Sequence, residues 1–134
     1  MIMRIDRILM RHLEESLEDF DLTPSQIRFV MYMGRCGDRP VSMKEIEERF
    51  EVAQPTVAGV LKKLERRGFV ELVQSPSDRR AKNARLTDAG RELVRSQEHH
   101  RISMENRLMD SLEPDERERL KAMLSRILDD LSPE

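Results

Sequence analysis

Apolar residues recur along this chain mostly at the three- and four-residue spacing of a helix, interrupted once by an alternating stretch. Ile5, Ile8, Leu9, Leu13, Leu17 and Phe20 form one such stripe, with Arg4, Arg7, Arg11, Glu14, Glu15 and Glu18 mostly on the other side. The spacing predicts an amphipathic helix over 2–20. Thr23-Pro24-Ser25-Gln26 then opens a second helix, with threonine as N-cap, proline at the first position and glutamine closing a capping box. Ile27, Val30, Met31 and Met33 give it a buried face, and Gly34-Arg35-Cys36-Gly37-Asp38 breaks it. Pro40-Val41 reads as a short extended piece. Ser42-Met43-Lys44-Glu45 resembles a second capping box, and Ile46 and Phe50 supply the apolar face of a third helix.

Glu51-Val52-Ala53 reads as a tight turn. A fourth helix begins at Pro55, which wants Gln54 extended as an N-cap. Val57, Val60, Leu61 and Leu64 make its buried stripe, and Gly68 ends it. Phe69–Val73 and Ala84–Leu86 read as strands separated by the turn formers Ser75, Pro76, Ser77 and Asp78. Two short helices joined by a tight turn and followed by a hairpin make a helix-turn-helix with a wing. Thr87-Asp88 caps a long fifth helix carrying Leu93, Val94, Met104, Leu108 and Leu112. Pro114 restarts the chain into a sixth, with Leu120, Met123, Leu124, Ile127, Leu128 and Leu131 on one face. The expected class is mainly α with a small β-hairpin: a winged helix-turn-helix lobe over 23–87, flanked by helices at 2–20 and 88–131 within one domain of 134 residues.

The flanking stripes exceed what a small winged lobe can cover. A fully buried Leu or Ile contributes roughly 1.5–3 kcal/mol, so two chains are expected to bury these stripes together. The homodimer contacts then fall on Ile5, Ile8, Leu9 and Leu13 of the first helix and Leu120, Leu124, Ile127 and Leu128 of the sixth.

Charge sharpens the picture. Between Val52 and Leu86, Lys62, Lys63, Arg66, Arg67, Arg79, Arg80, Lys82 and Arg85 oppose only Glu65, Glu71 and Asp78, giving +5. The whole chain is −2, so the remainder carries −7. Gathering positive charge into one module of an acidic protein is the footprint of a nucleic-acid surface. With the core stripe facing inward, Gln54, Thr56, Ala58, Gly59, Lys62 and Lys63 face outward from the fourth helix, beside Pro55. Gln54 can pair with adenine or serve only as a cap, and Thr56 can touch a thymine methyl or a phosphate. Ser42 caps the third helix and also suits a phosphate. Lys44, Lys62, Lys63 and Lys82 are candidate phosphate partners, while Arg66 and Arg67 could pair with acids of the long helices.

Other chemistries find little support. There is no Gly-rich phosphate loop, metal-ligand spacing or nucleophile motif, so no enzyme and no cofactor are expected. Cys36 is the only cysteine, and it has only Arg35 beside it in sequence to activate it, so it reads as inert. His99 and His100 point about 100° apart on a helix, and His12 is remote in sequence, which argues against a metal site. The chain has no run of ~18 apolar residues, and its first twenty residues do not read as a signal peptide. A cytoplasmic protein without membrane contact is expected.

Several of these pieces together resemble one family. Leu22-Thr23-Pro24-Ser25-Gln26, the helix around Met43–Phe50, Gln54-Pro55-Thr56-Val57, Leu64-Glu65-Arg66-Arg67-Gly68-Phe69-Val70, Ser77-Asp78-Arg79-Arg80 and Leu86-Thr87-Asp88-Ala89-Gly90-Arg91 are similar to MarR-family winged-helix repressors over nearly the whole chain. The resemblance implies a homodimer on pseudo-palindromic double-stranded DNA, commonly released by small phenolic or other amphipathic effectors or by oxidants. It also implies that the wing places Arg80, beside Arg79, in the minor groove, with Asp78 orienting it. Gly59 stands where the family often has a larger polar residue. A winged-helix protein-interaction module without specific DNA binding is the alternative.

Overall fold

The computed structural model describes residues 1–132, and these fall into two compact units, one over Met1–His99 and one from His100 onward. In the first unit, helix α1 (Ile2–Leu17) tightens into a single 3-10 turn, Glu18–Phe20, where an unbroken helix to residue 20 was expected. The chain leaves this turn through Asp21, whose φ of 52° lies in the left-handed region that aspartate tolerates better than most residues. Leu22 is thereby carried under the core, and helix α2 (Pro24–Arg35) starts as its sequence predicts. Thr23 Oγ1 accepts the Gln26 amide at 3.2 Å, and Gln26 Oε1 accepts the Thr23 amide at 3.1 Å.

Gly34 does not end α2. It lies inside the helix, where a Cβ would sit 2.9 Å from Val94 Cγ1, so the glycine admits a neighbouring helix at close range. The helix ends at Arg35, within the segment expected to break it, and Gly37 follows with φ +69°. Phe29, absent from the expected core face, is buried, while Met31 is only partly so.

The extended piece before the third helix becomes a strand. β1 (Val41–Ser42), β2 (Val70–Gln74) and β3 (Lys82–Leu86) form an antiparallel sheet in the order β1-β3-β2. Val41 pairs with Ala84, and the hairpin register runs from Val70 against Leu86 to Gln74 against Lys82. Between β1 and β2 lie α3 (Met43–Phe50) and α4 (Gln54–Arg66), joined through Glu51 with φ 53°. Ile46 of α3 and Val57, Leu61 and Leu64 of α4 are wholly buried against Val30, Met33 and Val41.

Helix α5 (Asp88–Met109) begins in the first unit, where Leu93 and the polar Gln97 are buried. Its start is fixed by the Leu-Thr-x-x-Gly-Arg segment. Thr87 Oγ1 donates to the Gly68 carbonyl at 2.5 Å and accepts the Gly90 amide at 3.1 Å, while Arg91 Nη1 donates to the Leu86 carbonyl at 3.1 Å.

The second unit holds the end of α5 and helix α6 (Pro114–Leu131). Pro114 lies in the first turn of α6, where a missing amide hydrogen costs nothing. Met109 is buried rather than Leu108, which is exposed, and α6 buries no residue. Glu105 accepts from Lys121 at 2.9 Å and sits below its ordinary pKa, held down chiefly by that contact. Among the described residues, no helix is long and apolar enough to cross a membrane.

Candidate nucleic-acid interface

The first turn of α3, the first residue of α4 and the tip of the β2–β3 hairpin enclose one open cleft of about 360 Å³. Ser42, Met43, Lys44, Glu47, Gln54, Asp78, Arg80, Ala81 and Lys82 line it. Five of these, Ser42, Gln54, Asp78, Arg80 and Lys82, were site residues expected from sequence, and Lys44 was a candidate phosphate partner. Met43, Glu47 and Ala81 also line the cleft and were not among the residues expected. Met43 and Glu47 border the apolar face of Ile46 and Phe50, and Met43 also packs against the core, so the helical spacing alone reads them as flanks of the buried stripe.

The α3 wall of the cleft is set by hydrogen bonds. Ser42 Oγ accepts the Glu45 amide at 3.0 Å, so its capping role is realised. The expected second half of that capping box is not, because the Glu45 side chain turns elsewhere. Its carboxylate takes a two-pronged contact from Arg39, 2.9 and 3.0 Å, and a 2.5 Å hydrogen bond from the Tyr32 hydroxyl. Those donors lower the Glu45 pKa to about 2, Arg39 first and Tyr32 second, against the opposing effect of burial. The same contact raises the Tyr32 hydroxyl above its ordinary value. Arg39 Nη2 also lies 3.2 Å from Cys36 Sγ, so the cysteine has a cationic neighbour that sequence adjacency did not reveal.

Helix α4 starts one residue earlier than its proline indicated. Ala53 is the N-cap, with extended backbone and no side chain to contribute, and Gln54 is the first helical residue. Gln54 therefore does not cap, and its exposed side chain is left at the mouth of the cleft. Pro55, Thr56, Gly59 and Lys62 are exposed and Ala58 is partly so. A Cβ on Gly59 would meet nothing within 4 Å, so protein packing does not require glycine there.

Lys63 departs from its expected place. Its Nζ lies 3.1 Å from Gln26 Oε1 and 3.9 Å from Asp21 Oδ2, drawn back toward the start of α2 instead of outward with Lys62. Arg67 joins the same acid at 3.1 Å. Local geometry explains the difference: a lysine on the edge of the buried face can reach a carboxylate and an amide oxygen that the αL turn at Asp21 presents.

The wing tip is built on its backbone. Asp78 Oδ1 accepts the Arg80 amide at 2.9 Å, Gln74 Nε2 donates to the Arg79 carbonyl at 2.9 Å, and Ser75 N donates to the Ala81 carbonyl at 3.0 Å. Asp78 thus aligns the turn carrying Arg80 through the main chain. Arg79, Arg80 and Lys82 are exposed, and their side-chain charges have no ion-pair partner among the described residues. Arg85, further down β3, pairs with Glu71 at 3.4 Å. Among the described residues, no group of three or more His, Cys, Asp or Glu side chains could hold a metal ion.

A three-helix lobe with α3 and α4 around a tight turn, closed by a three-stranded sheet whose hairpin projects a basic tip, is a winged helix-turn-helix. The MarR family profile matches residues 20–81. The HTH-type transcriptional regulator BilQ of Clostridioides difficile (strain CD3) is 30% identical over 81 residues, 60% of this chain and 53% of that protein. The uncharacterised HTH-type transcriptional regulator YkoM of Bacillus subtilis (strain 168) is 34% identical over 88 residues, 65% of this chain and 56% of its own length. The matched segments thus span about half of these curated relatives. Among solved structures, MepR, a transcription regulator of the Staphylococcus aureus multidrug efflux pump MepA, is 27% identical with a TM-score of 0.84, covering 98% of this chain and 96% of that one. The S. aureus MepR–DNA complex gives 0.80 at the same identity, covering 98% of both chains. MarR itself is 25% identical with a TM-score of 0.79, over 97% of this chain and 93% of that one. Residues 20–81 thus match the MarR family profile, and the chain as a whole shares the winged helix-turn-helix fold of MepR and MarR.

Proposed function

We propose that this protein is a DNA-binding transcriptional regulator that acts as a homodimer on a pseudo-palindromic operator. The observation that carries the reading is the cleft: Arg80 and Lys82 face Lys44 and the start of α4 across a space open to solvent, in an otherwise acidic chain. A helix N-terminus in the major groove and a wing arginine in the adjacent minor groove would engage one stretch of duplex together. Gln54 and Thr56 are the base-facing candidates on α4, and Ser42, Lys44, Lys62 and Lys82 hold phosphates. The DNA-bound structure of the similar MepR supports the same partner.

A second copy of the chain covers the apolar stripes. Ile5 and Ile8 are 41% and 46% exposed, and Leu124, Ile127 and Leu128 are 44%, 45% and 63% exposed. Leu9 and Leu120 are partly exposed. Leu13 packs against the core of its own protomer, so its share in the dimer is smaller than its spacing indicated. The regulator is a repressor in this reading, released by a small phenolic or other amphipathic effector and using no cofactor.

Fluorescence anisotropy with duplexes from the region upstream of the protein's own coding sequence tests the reading. Saturable binding that weakens steeply with salt is expected. No binding at low salt would leave the winged-helix interaction module as the better description. Equilibrium sedimentation checks the dimer, and a stable monomer at micromolar concentration would remove it.

A further inference from the structure

We propose that Glu47 is a specificity-determining residue that accepts a hydrogen bond from the exocyclic amino group of a cytosine in the operator. The inference rests on reading the cleft as the DNA interface. Glu47 lies one turn along α3 from Met43 and Lys44, on the face that lines the cleft with Gln54 and Arg80. Its side chain is partly buried, and among the described residues it forms no ion pair, although Lys44, Arg80 and Lys82 line the same space. The other acid of the cleft, Asp78, is already committed to the Arg80 amide. Glu47 therefore presents an open, partly desolvated carboxylate to whatever enters.

A carboxylate only accepts hydrogen bonds. Phosphate oxygens, guanine O6 and N7 and thymine O4 are acceptors too, so each would meet Glu47 unfavourably. The matching groups in the major groove are the exocyclic amines, and cytosine N4 is the one acidic side chains pair with. The residue thus works twice, by rewarding cytosine and by penalising a keto oxygen at the same place. A thymine there replaces the donor by an acceptor facing the carboxylate, which is how a single position generates discrimination.

The test is selection of bound duplexes from a randomised library with the full chain, carried out for the wild type, Glu47→Ala and Glu47→Gln. The wild-type motif should contain one cytosine position per half-site that both variants lose while the rest of the motif persists. In anisotropy titrations, changing that cytosine to thymine should weaken the wild type about tenfold and the variants less than about twofold. The salt slope should be similar in all three, since no phosphate contact is removed. Identical motifs with uniformly tighter binding by both variants would make Glu47 a merely repulsive charge and overturn the proposal. Failure of the wild type to enrich any motif or to bind with salt dependence would overturn the DNA-binding reading itself, and the proposal with it. Glu47→Gln keeps the shape and helix propensity of the residue, so it decides the matter if the alanine variant folds poorly.

Discussion

Asp78 holds the backbone amide of Arg80 at 2.9 Å, so the wing arginine is aimed by its own turn and not by a partner for its charge. This is an Asx turn, in which a short carboxylate or amide accepts the N–H two residues on. The two residues should therefore fail differently. Arg80→Ala should lower DNA affinity and reduce the salt slope by about 1. Asp78→Asn and Asp78→Ala remove the same negative charge, but only asparagine keeps the acceptor. The alanine variant should bind about 2–10-fold more weakly than the asparagine variant, the worth of one hydrogen bond. Anisotropy titrations at several salt concentrations read all three, and equal affinities for the two Asp78 variants would show that the turn does not matter.

Lys62 and Lys63 are neighbours in sequence with opposite commitments. Lys62 is exposed on α4, whereas Lys63 Nζ is spent on Gln26 and Asp21. Lys62→Ala should reduce the salt slope of DNA binding by about 1. Lys63→Ala should leave that slope unchanged and cost about 0.5–1 kcal/mol of stability, a modest figure because Asp21 is largely exposed and the pair is screened. A fall in salt slope for Lys63→Ala would mean that the lysine swings out to DNA.

Gly90 and Gly59 provide a contrast between required and incidental glycine. A Cβ on Gly90 would fall 2.1 Å from the Phe69 carbonyl oxygen, a backbone atom fixed by its own bond from Thr87 N at 3.1 Å. Gly90→Ala should destabilise the lobe by about 1–3 kcal/mol or more, since α5 must move away from the α4–β2 junction. Gly59 lies within α4 with open space around it, so Gly59→Ala should stabilise by about 0.5–1 kcal/mol through helix propensity. Urea unfolding of the two variants should shift the midpoint in opposite directions.

What was legible in the sequence was what is decided locally. Thr23-Pro24-Ser25-Gln26 specifies its capping box because every partner lies within four residues. Ser42-Met43-Lys44-Glu45 carries nearly the same pattern and makes only half the motif, because Arg39 and Tyr32 compete for the Glu45 side chain. Val41 looked merely extended, since its partner Ala84 lies across the whole helix-turn-helix. The Gly34–Asp38 segment ends α2 as its composition indicates, but Gly34 itself stays helical, and only the approach of Val94 explains a glycine there. In the candidate site, residue type and charge marked Arg80, Lys82 and Gln54, which share the cleft. They could not separate Lys62 from Lys63, because that choice depends on where Asp21 arrives.

The Glu45 contact also makes a prediction about pH. Its carboxyl is lowered from an ordinary 4.5 to about 2 in the folded chain, chiefly by Arg39 and then by Tyr32. Between these values the unfolded chain binds the proton more readily than the folded one. The stabilisation is therefore fully present above about pH 4.5 and is lost as pH falls toward 2. The Glu45 side chain is 30% exposed and Arg39 54%, so solvent screening cuts the contribution to about 1 kcal/mol. Glu45→Gln should be less stable than the wild type by that amount at pH 7, and the gap should narrow as pH drops from 4.5 to 2. Tyr32→Phe should move the carboxyl back toward its ordinary value, because one of the two lowering hydrogen bonds is gone, so the acid loss should still begin near pH 4.5 but be smaller and complete at higher pH than in the wild type. Urea unfolding of the three proteins across this range is the measurement. Parallel curves at every pH would mean that Arg39 and Tyr32 do not hold the Glu45 charge at the start of α3.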